Sequence, residues 1–104
     1  KVIKMMKKCD MRGMLTFLIL WLLSKKSMHG EELAEEIGKR RGEKPKAGTI
    51  YPALKDMKKK GLIKGIKKGK IIVYSLTPEG KATIKHAREY FCRCFAEILE
   101  NHKK

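Results

Sequence analysis

The stretch from Ala47 to Ile63, AGTIYPALKDMKKKGLI, limits the fold more than any other part of the chain. Ile50, Leu54 and Met57 recur at helical spacing and define one apolar face. Lys55, Lys58, Lys59 and Lys60 crowd the remaining faces. Gly61 follows the last periodic residue, where a glycine ends a helix. Pro52 limits where the helix can begin, because a proline deep inside a helix costs about 3 kcal/mol. The expected start is therefore Gly48 or Thr49, with Pro52 in the first turn. A short helix with an apolar underside and a cationic outer face suits insertion into something polyanionic.

Charge elsewhere agrees. The chain has 104 residues, enough for one domain with one modest core, and a formal net charge of +15. From Lys39 to Lys70, thirteen Lys or Arg are opposed only by Glu43 and Asp56, so this segment holds +11 of the +15. Such concentration favours nucleic acid as the partner, with an anionic membrane second. The cysteines, Cys9, Cys92 and Cys94, are odd in number and show no repeated spacing, so they form no disulfide framework. They fit a reducing, cytoplasmic setting. No signal peptide is visible, and the apolar run from Met14 to Leu23 is shorter than the ~20 residues a bilayer requires.

The rest of the chain supplies a scaffold. Residues 1–10 read as a basic arm or a helical extension. Met11 to about Ser24 reads as a helix that is apolar nearly all round, with Leu15, Leu18, Ile19, Leu22 and Leu23 joined by Phe17 and Trp21. A helix hydrophobic on every side is buried on every side, and a second subunit would cover its far face. Trp21 either packs in the core or lines a ligand pocket. Ser27 to Gly30 reads as a turn. Glu31 and Glu32 open a second helix, where carboxylates suit the positive end of the dipole. Gly38 to Pro45 reads as a charged, mobile link.

Two β-rich runs, Leu62–Ile66 and Ile71–Leu76, flank Lys67-Lys68-Gly69-Lys70 and predict a hairpin with lysines at its tip. Thr77 as N-cap and Pro78 at the first helical position predict a last helix reaching about His102. Ile84, Phe91 and Ile98 are seven apart, with Ala87 and Cys94 between them and Phe95 beside them, a short heptad seam that suits dimerisation. The expected fold is mainly α with a two-stranded β-wing. It is a winged helix-turn-helix over residues 11–77, followed by a C-terminal dimerisation helix over 78–104.

A helix of this kind fits the major groove of B-DNA. Gly48 and Pro52 point away from the apolar face and are compact enough for close approach, with the help of backbone N–H groups at the helix start. Tyr51 has a hydroxyl for a phosphate. Lys55 is the candidate for base contact, Lys58 and Lys59 serve phosphates, and Lys67, Lys68 and Lys70 extend the contact through the wing. Catalysis has no comparable constellation. His29, His86 and His102 are scattered, and no phosphate loop, nucleophile elbow, zinc motif or cofactor signature is present. No enzyme, metal or cofactor is expected. A redox or metal role for the cysteines across a dimer stays open.

At this point the motifs match a family. His29-Gly30-Glu31-Glu32-Leu33, Gly48-Thr49-Ile50-Tyr51-Pro52-Ala53-Leu54, Lys60-Gly61-Leu62-Ile63 and Tyr74-Ser75-Leu76-Thr77-Pro78-Glu79-Gly80 follow one another in order. In them the chain resembles the PadR-like winged-helix transcriptional regulators, specifically the small members with one C-terminal helix. The resemblance covers roughly Leu15 to Gly80. It implies a homodimer in which the last helix meets the first helix of the partner, through Leu15, Leu18, Ile19, Leu22, Ile84, Ala87, Phe91, Cys94, Phe95 and Ile98. It also implies a pseudo-palindromic double-stranded DNA operator, usually under repression. Thr49, Tyr51, Pro52 and Lys55 would lie at the DNA, with the wing lysines beside them. Some small members bind flat aromatic compounds in a pore at the dimer interface, and Phe17, Trp21, Phe91 and Phe95 are the residues for such an effector pocket. Glu31 stands where the family often has Tyr or Phe. Two other readings use the same residues: a sequence-independent architectural nucleic-acid binder, and a ligand-sensing dimer module without strong DNA binding.

Overall fold

The computed structural model describes residues 10–103, with the side chains of 10–13 and 99–103 left aside. The expected arm over residues 1–10 therefore lies outside the described residues except for Asp10. In order the elements are α1 (Asp10–Lys25), β1 (Met28–His29), α2 (Gly30–Arg41), α3 (Ala47–Lys59), β2 (Ile63–Lys68), β3 (Ile71–Leu76) and α4 (Pro78–Lys103). The strands form one antiparallel sheet in the order β1-β3-β2. This is the expected winged helix, mainly α, but its sheet has three strands rather than two. Met28 pairs with Tyr74 and His29 with Val73, so the expected turn at Ser27–Gly30 is instead a strand. Two residues carry no period that could mark them as a strand; they become one by pairing with β3.

Helix α1 runs through the middle, against α2, α3, α4 and β3. That position explains its lack of a polar face. Leu15, Ile19, Leu20, Leu22 and Leu23 are buried, together with Leu33 and Ile37 of α2, Ile50, Leu54 and Met57 of α3, Tyr74 and Leu76 of β3, and Ile84 of α4. The expected apolar face of α3 is thus the face that meets the core. Leu15, Ile19, Leu22 and Ile84 were expected at a dimer seam. Within a single chain they are at most 5% exposed. No described helix is long and apolar enough to cross a membrane.

Three boundaries differ from expectation. Helix α2 continues to Arg41, and the link that follows is tied down, with Pro45 buried and Lys44 ion-paired to Glu31 of α2. Helix α3 starts at Ala47, which puts Pro52 in its second turn. The proline removes the N–H that would otherwise bond the Gly48 carbonyl. The hairpin turn is only Gly69-Lys70, so Lys67 and Lys68 belong to β2, opposite Ile72 and Ile71. Gly69 alone has a positive φ there, 63°, as the first position of a two-residue type II′ turn requires.

The C-terminus of α3 and the N-terminus of α4 share one junction. Gly61, at φ 77°, lets the Leu62 N–H bond the Met57 carbonyl and its own N–H bond the Lys58 carbonyl, each at 3.0 Å. Thr77 then uses three groups. Its N–H donates to the Leu62 carbonyl at 3.1 Å, its hydroxyl donates to the Gly61 carbonyl at 2.5 Å, and the hydroxyl oxygen accepts from the Gly80 N–H at 3.0 Å. The last bond is the N-cap that Thr77-Pro78 predicted. A Cβ on Gly80 would lie 2.0 Å from the Leu62 carbonyl oxygen, so only glycine permits this approach. Gly80→Ala should therefore lower stability by about 1–3 kcal/mol, the usual cost of overpacking against unyielding atoms. Gly48→Ala, where a Cβ meets nothing within 4 Å, should raise it by about 0.5–1 kcal/mol. Thermal denaturation of the two variants checks both signs.

Candidate nucleic-acid interface

Helix α3 separates its residues by environment. Ile50, Leu54 and Met57 are buried, whereas Gly48, Thr49, Tyr51, Pro52, Lys55, Lys58 and Lys59 are all exposed. On the wing, Lys64, Lys67, Lys68 and Lys70 are exposed as well. Every expected DNA-facing residue is therefore accessible on two consecutive elements. The turn at Gly61 joins them, and α3 also packs against β2.

The cations fall into two groups that the sequence did not separate. Lys39 and Arg40 both pair with Glu36, at 3.1 and 2.8 Å. Arg40 and then Lys39 hold the Glu36 carboxyl below the usual carboxylate range. Lys60 pairs with Asp56 at 3.0 Å. Lys44 pairs with Glu31, whose carboxylate holds the ammonium above its ordinary value. Among the described residues, Lys46, Lys55, Lys58, Lys59, Lys64, Lys67, Lys68 and Lys70 have no acidic partner. Within Lys39–Lys70 the uncompensated charge thus lies on α3, just before it, and on the wing, and those are the lysines free to neutralise phosphates. Outside that segment, among the described residues, Lys26 and, on α4, Lys81, Lys85 and Arg88 have no acidic partner either.

The start of α3 is also incomplete. Helix α2 is closed by a capping box in which the Glu32 N–H donates to His29 Nδ1 at 3.3 Å and the His29 N–H donates to Glu32 Oε1 at 3.1 Å. Helix α4 is closed by Thr77. At α3 the N-cap residue is Lys46, whose side chain makes no capping bond, and no acidic residue lies in the first turn. Among the described residues, the N–H groups of Ala47 and Gly48 have no partner. Ala47 borders a cleft of about 370 Å³ that is also lined by Lys44, Lys46 and Tyr51, and by Glu31, which is ion-paired to Lys44. Unpaired N–H groups, the positive end of a helix and a lysine together suit a phosphate oxygen. Sequence reasoning passed over Lys46; its signal was a basic residue where Ser, Thr, Asp or Asn would normally stand.

A second feature is separate from these. Phe17 of α1 stacks on Phe91 of α4, with ring centroids 5.6 Å apart, and Phe91 meets Phe95 at 4.7 Å. Beside them is an open groove of about 330 Å³ lined by Phe17, Leu18, Trp21, Arg40, Arg88, Phe91 and Cys92. Three of the four expected pocket residues line it, and the fourth, Phe95, packs against Phe91. Trp21 is only partly buried, with the Lys25 ammonium 4.1 Å and the Arg40 guanidinium 5.2 Å from its ring. Farther along α4, Ile98 is 59% exposed. Cys92 and Cys94 are exposed free thiols, and hydrogen bonding to Cys94 pushes the Tyr90 phenol up. Among the described residues, no group of three or more His, Cys, Asp or Glu is placed to hold a metal ion.

Comparison with known proteins bears on the family and the fold. The model of the family described as "Transcriptional regulator PadR-like family" matches residues 19–86. A transcriptional regulator from Clostridium thermocellum superposes with a TM-score of 0.76 at 26% identity, over 93% of this chain and 97% of that one. A PadR family transcription regulator from Clostridium difficile R20291 gives 0.69 at 30% identity, over 86% and 98%. RosR from H. salinarum gives 0.73 at 26% identity, over 84% and 86%. Among curated proteins, none matches the chain. Closing the open end of α3 provides a direct check. Lys46→Asn should raise stability by about 1 kcal/mol in urea denaturation, because its side chain caps the helix. The same change should weaken binding to duplex DNA in a gel shift.

Proposed function

The chain belongs to the PadR-like family of transcriptional regulators, and from that membership we propose that it is a homodimeric, sequence-specific binder of double-stranded DNA that acts as a repressor. The observation that carries this reading is where the unpartnered cations lie. Within Lys39–Lys70 they gather on α3 and the wing, while Lys39 and Arg40 of α2 and Lys60, just past α3, are paired within the chain. Lys55 donates to base acceptors in the major groove. Lys58, Lys59 and the wing residues Lys67, Lys68 and Lys70 neutralise phosphates. Gly48, Thr49 and Pro52 let the start of α3 approach the duplex, and Tyr51 contributes its hydroxyl.

The outer part of α4 supports the dimer. Phe91 and Phe95 are half-buried and Ile98 is exposed among the described residues. Together with Leu18, Ala87 and Cys94 they form the surface offered to a second copy. Two-fold pairing would set the recognition helices about 34 Å apart, one turn of DNA, on a pseudo-palindromic operator. The aromatic groove borders that surface, and it supports a small hydrophobic or aromatic effector whose binding alters how two copies meet. The groove is also what favours the second reading, a ligand-sensing dimer module without strong DNA binding.

A gel shift on the protein's own promoter region tests the leading function. Binding should weaken steeply with salt and resist competition by random duplex. Lys55→Ala combined with Lys59→Ala should reduce it by at least about tenfold, at about 1–3 kcal/mol for a lost base contact. Binding unchanged by both substitutions would remove α3 from the interface. Equal competition by unrelated DNA would favour an architectural protein.

A further inference from the structure

The Tyr51 ring lies directly over Gly30, the first residue of α2. A Cβ built on Gly30 would come within 2.6 Å of Tyr51 Cε1, 2.7 Å of its hydroxyl oxygen and 2.8 Å of Cζ. Nothing in the backbone asks for glycine there. Gly30 is helical and does not have a positive φ, so alanine would suit the position as well or better. The residue is nonetheless buried, and what buries it includes a tyrosine that is itself 47% exposed. The buried Tyr74 of β3 has its phenol pushed up first by burial and then by the charge of Tyr51. Among the described residues the Tyr51 hydroxyl makes no hydrogen bond. The Tyr51 ring thus rests on the start of α2 at Gly30, with its donor unused.

We propose that Gly30 is a positioning residue for Tyr51: its missing side chain forms the seat that holds the Tyr51 hydroxyl where it can donate to a DNA phosphate. The proposal rests on the DNA-binding reading above and adds to it a determinant outside α3. A methyl group on Gly30 would meet the far end of a side chain, so the ring would move and the backbone would not. The effect of the substitution should therefore fall on binding and spare folding.

The test is a double-mutant cycle on a genomic duplex that the unmodified protein binds, with melting temperature measured in parallel. Tyr51→Phe should weaken binding about tenfold, as expected for a lost hydrogen bond to a charged acceptor. Gly30→Ala should weaken it to a similar degree while its melting temperature stays the same or rises. In a Tyr51→Ala background, where the seat is empty, Gly30→Ala should cause no further loss. A purely structural role for Gly30 would not show this non-additivity. The proposal is overturned if Gly30→Ala or Tyr51→Phe binds like the unmodified protein. It is equally overturned if Gly30→Ala lowers the melting temperature, or weakens binding as much without Tyr51 as with it. Failure of the unmodified protein to bind any genomic duplex would instead remove the DNA-binding reading itself, and the proposal with it.

Discussion

The contact between the Gly61–Leu62 turn and the Thr77–Gly80 helix start ties the cationic elements to the last helix. Thr77 bonds both carbonyls of that turn and caps α4 with the same hydroxyl, and Gly80 brings the α4 backbone against Leu62. Each such bond has a modest net worth, about 1 kcal/mol, so its importance is geometric. The end of α3, the base of the wing and the start of α4 are fixed at one point. If α4 joins two copies, the distance between their recognition helices follows from this junction and needs no further device.

Around it, apolar and charged residues divide the work. Helix α1 spends its all-round hydrophobicity at the centre, against three helices and the central strand. Because α1 supplies so much of the core, α3 needs to bury only Ile50, Leu54 and Met57 and can leave its other faces polar. The ion pairs on α2 are exposed, and pairs of that kind contribute little to stability. Their consequence here is in the distribution of charge. They cancel cations on α2 and leave α3 and the wing positive, which steers a polyanion to those elements.

Much of this was legible in the sequence because local rules fixed it. Gly61 ending α3, Thr77-Pro78 opening α4, and the face defined by Ile50, Leu54 and Met57 each depend on a few neighbouring residues. What was not legible depended on contacts distant in sequence. Met28 and His29 are a strand only because β3 lies beside them. Leu15, Ile19, Leu22 and Ile84 are apolar whether they face their own core or a second copy, so periodicity could not assign them. Pro52 pointed to a later helix start, since the rule against interior prolines does not register that α3 gives up one bond to a glycine carbonyl. Lys44 seemed to belong to a mobile cationic link until the fold brought Glu31 beside it. Gly30 reads as a turn glycine, and its relation to Tyr51 exists only in three dimensions. The exposure of the α3 and wing residues expected to face DNA was legible, because exposure at helical spacing and at a hairpin is itself a local property.

Elements that read a sequence and elements that only grip a backbone select different DNA. Selecting genomic fragments with the purified protein, then footprinting the selected site, distinguishes the two most directly. The fragments should share a pseudo-palindrome, with two protected major-groove segments about one helical turn apart and protection extending to the flanking backbone near the wing. Fragments with no common sequence, protected evenly along their length, would contradict sequence reading by α3 and the wing.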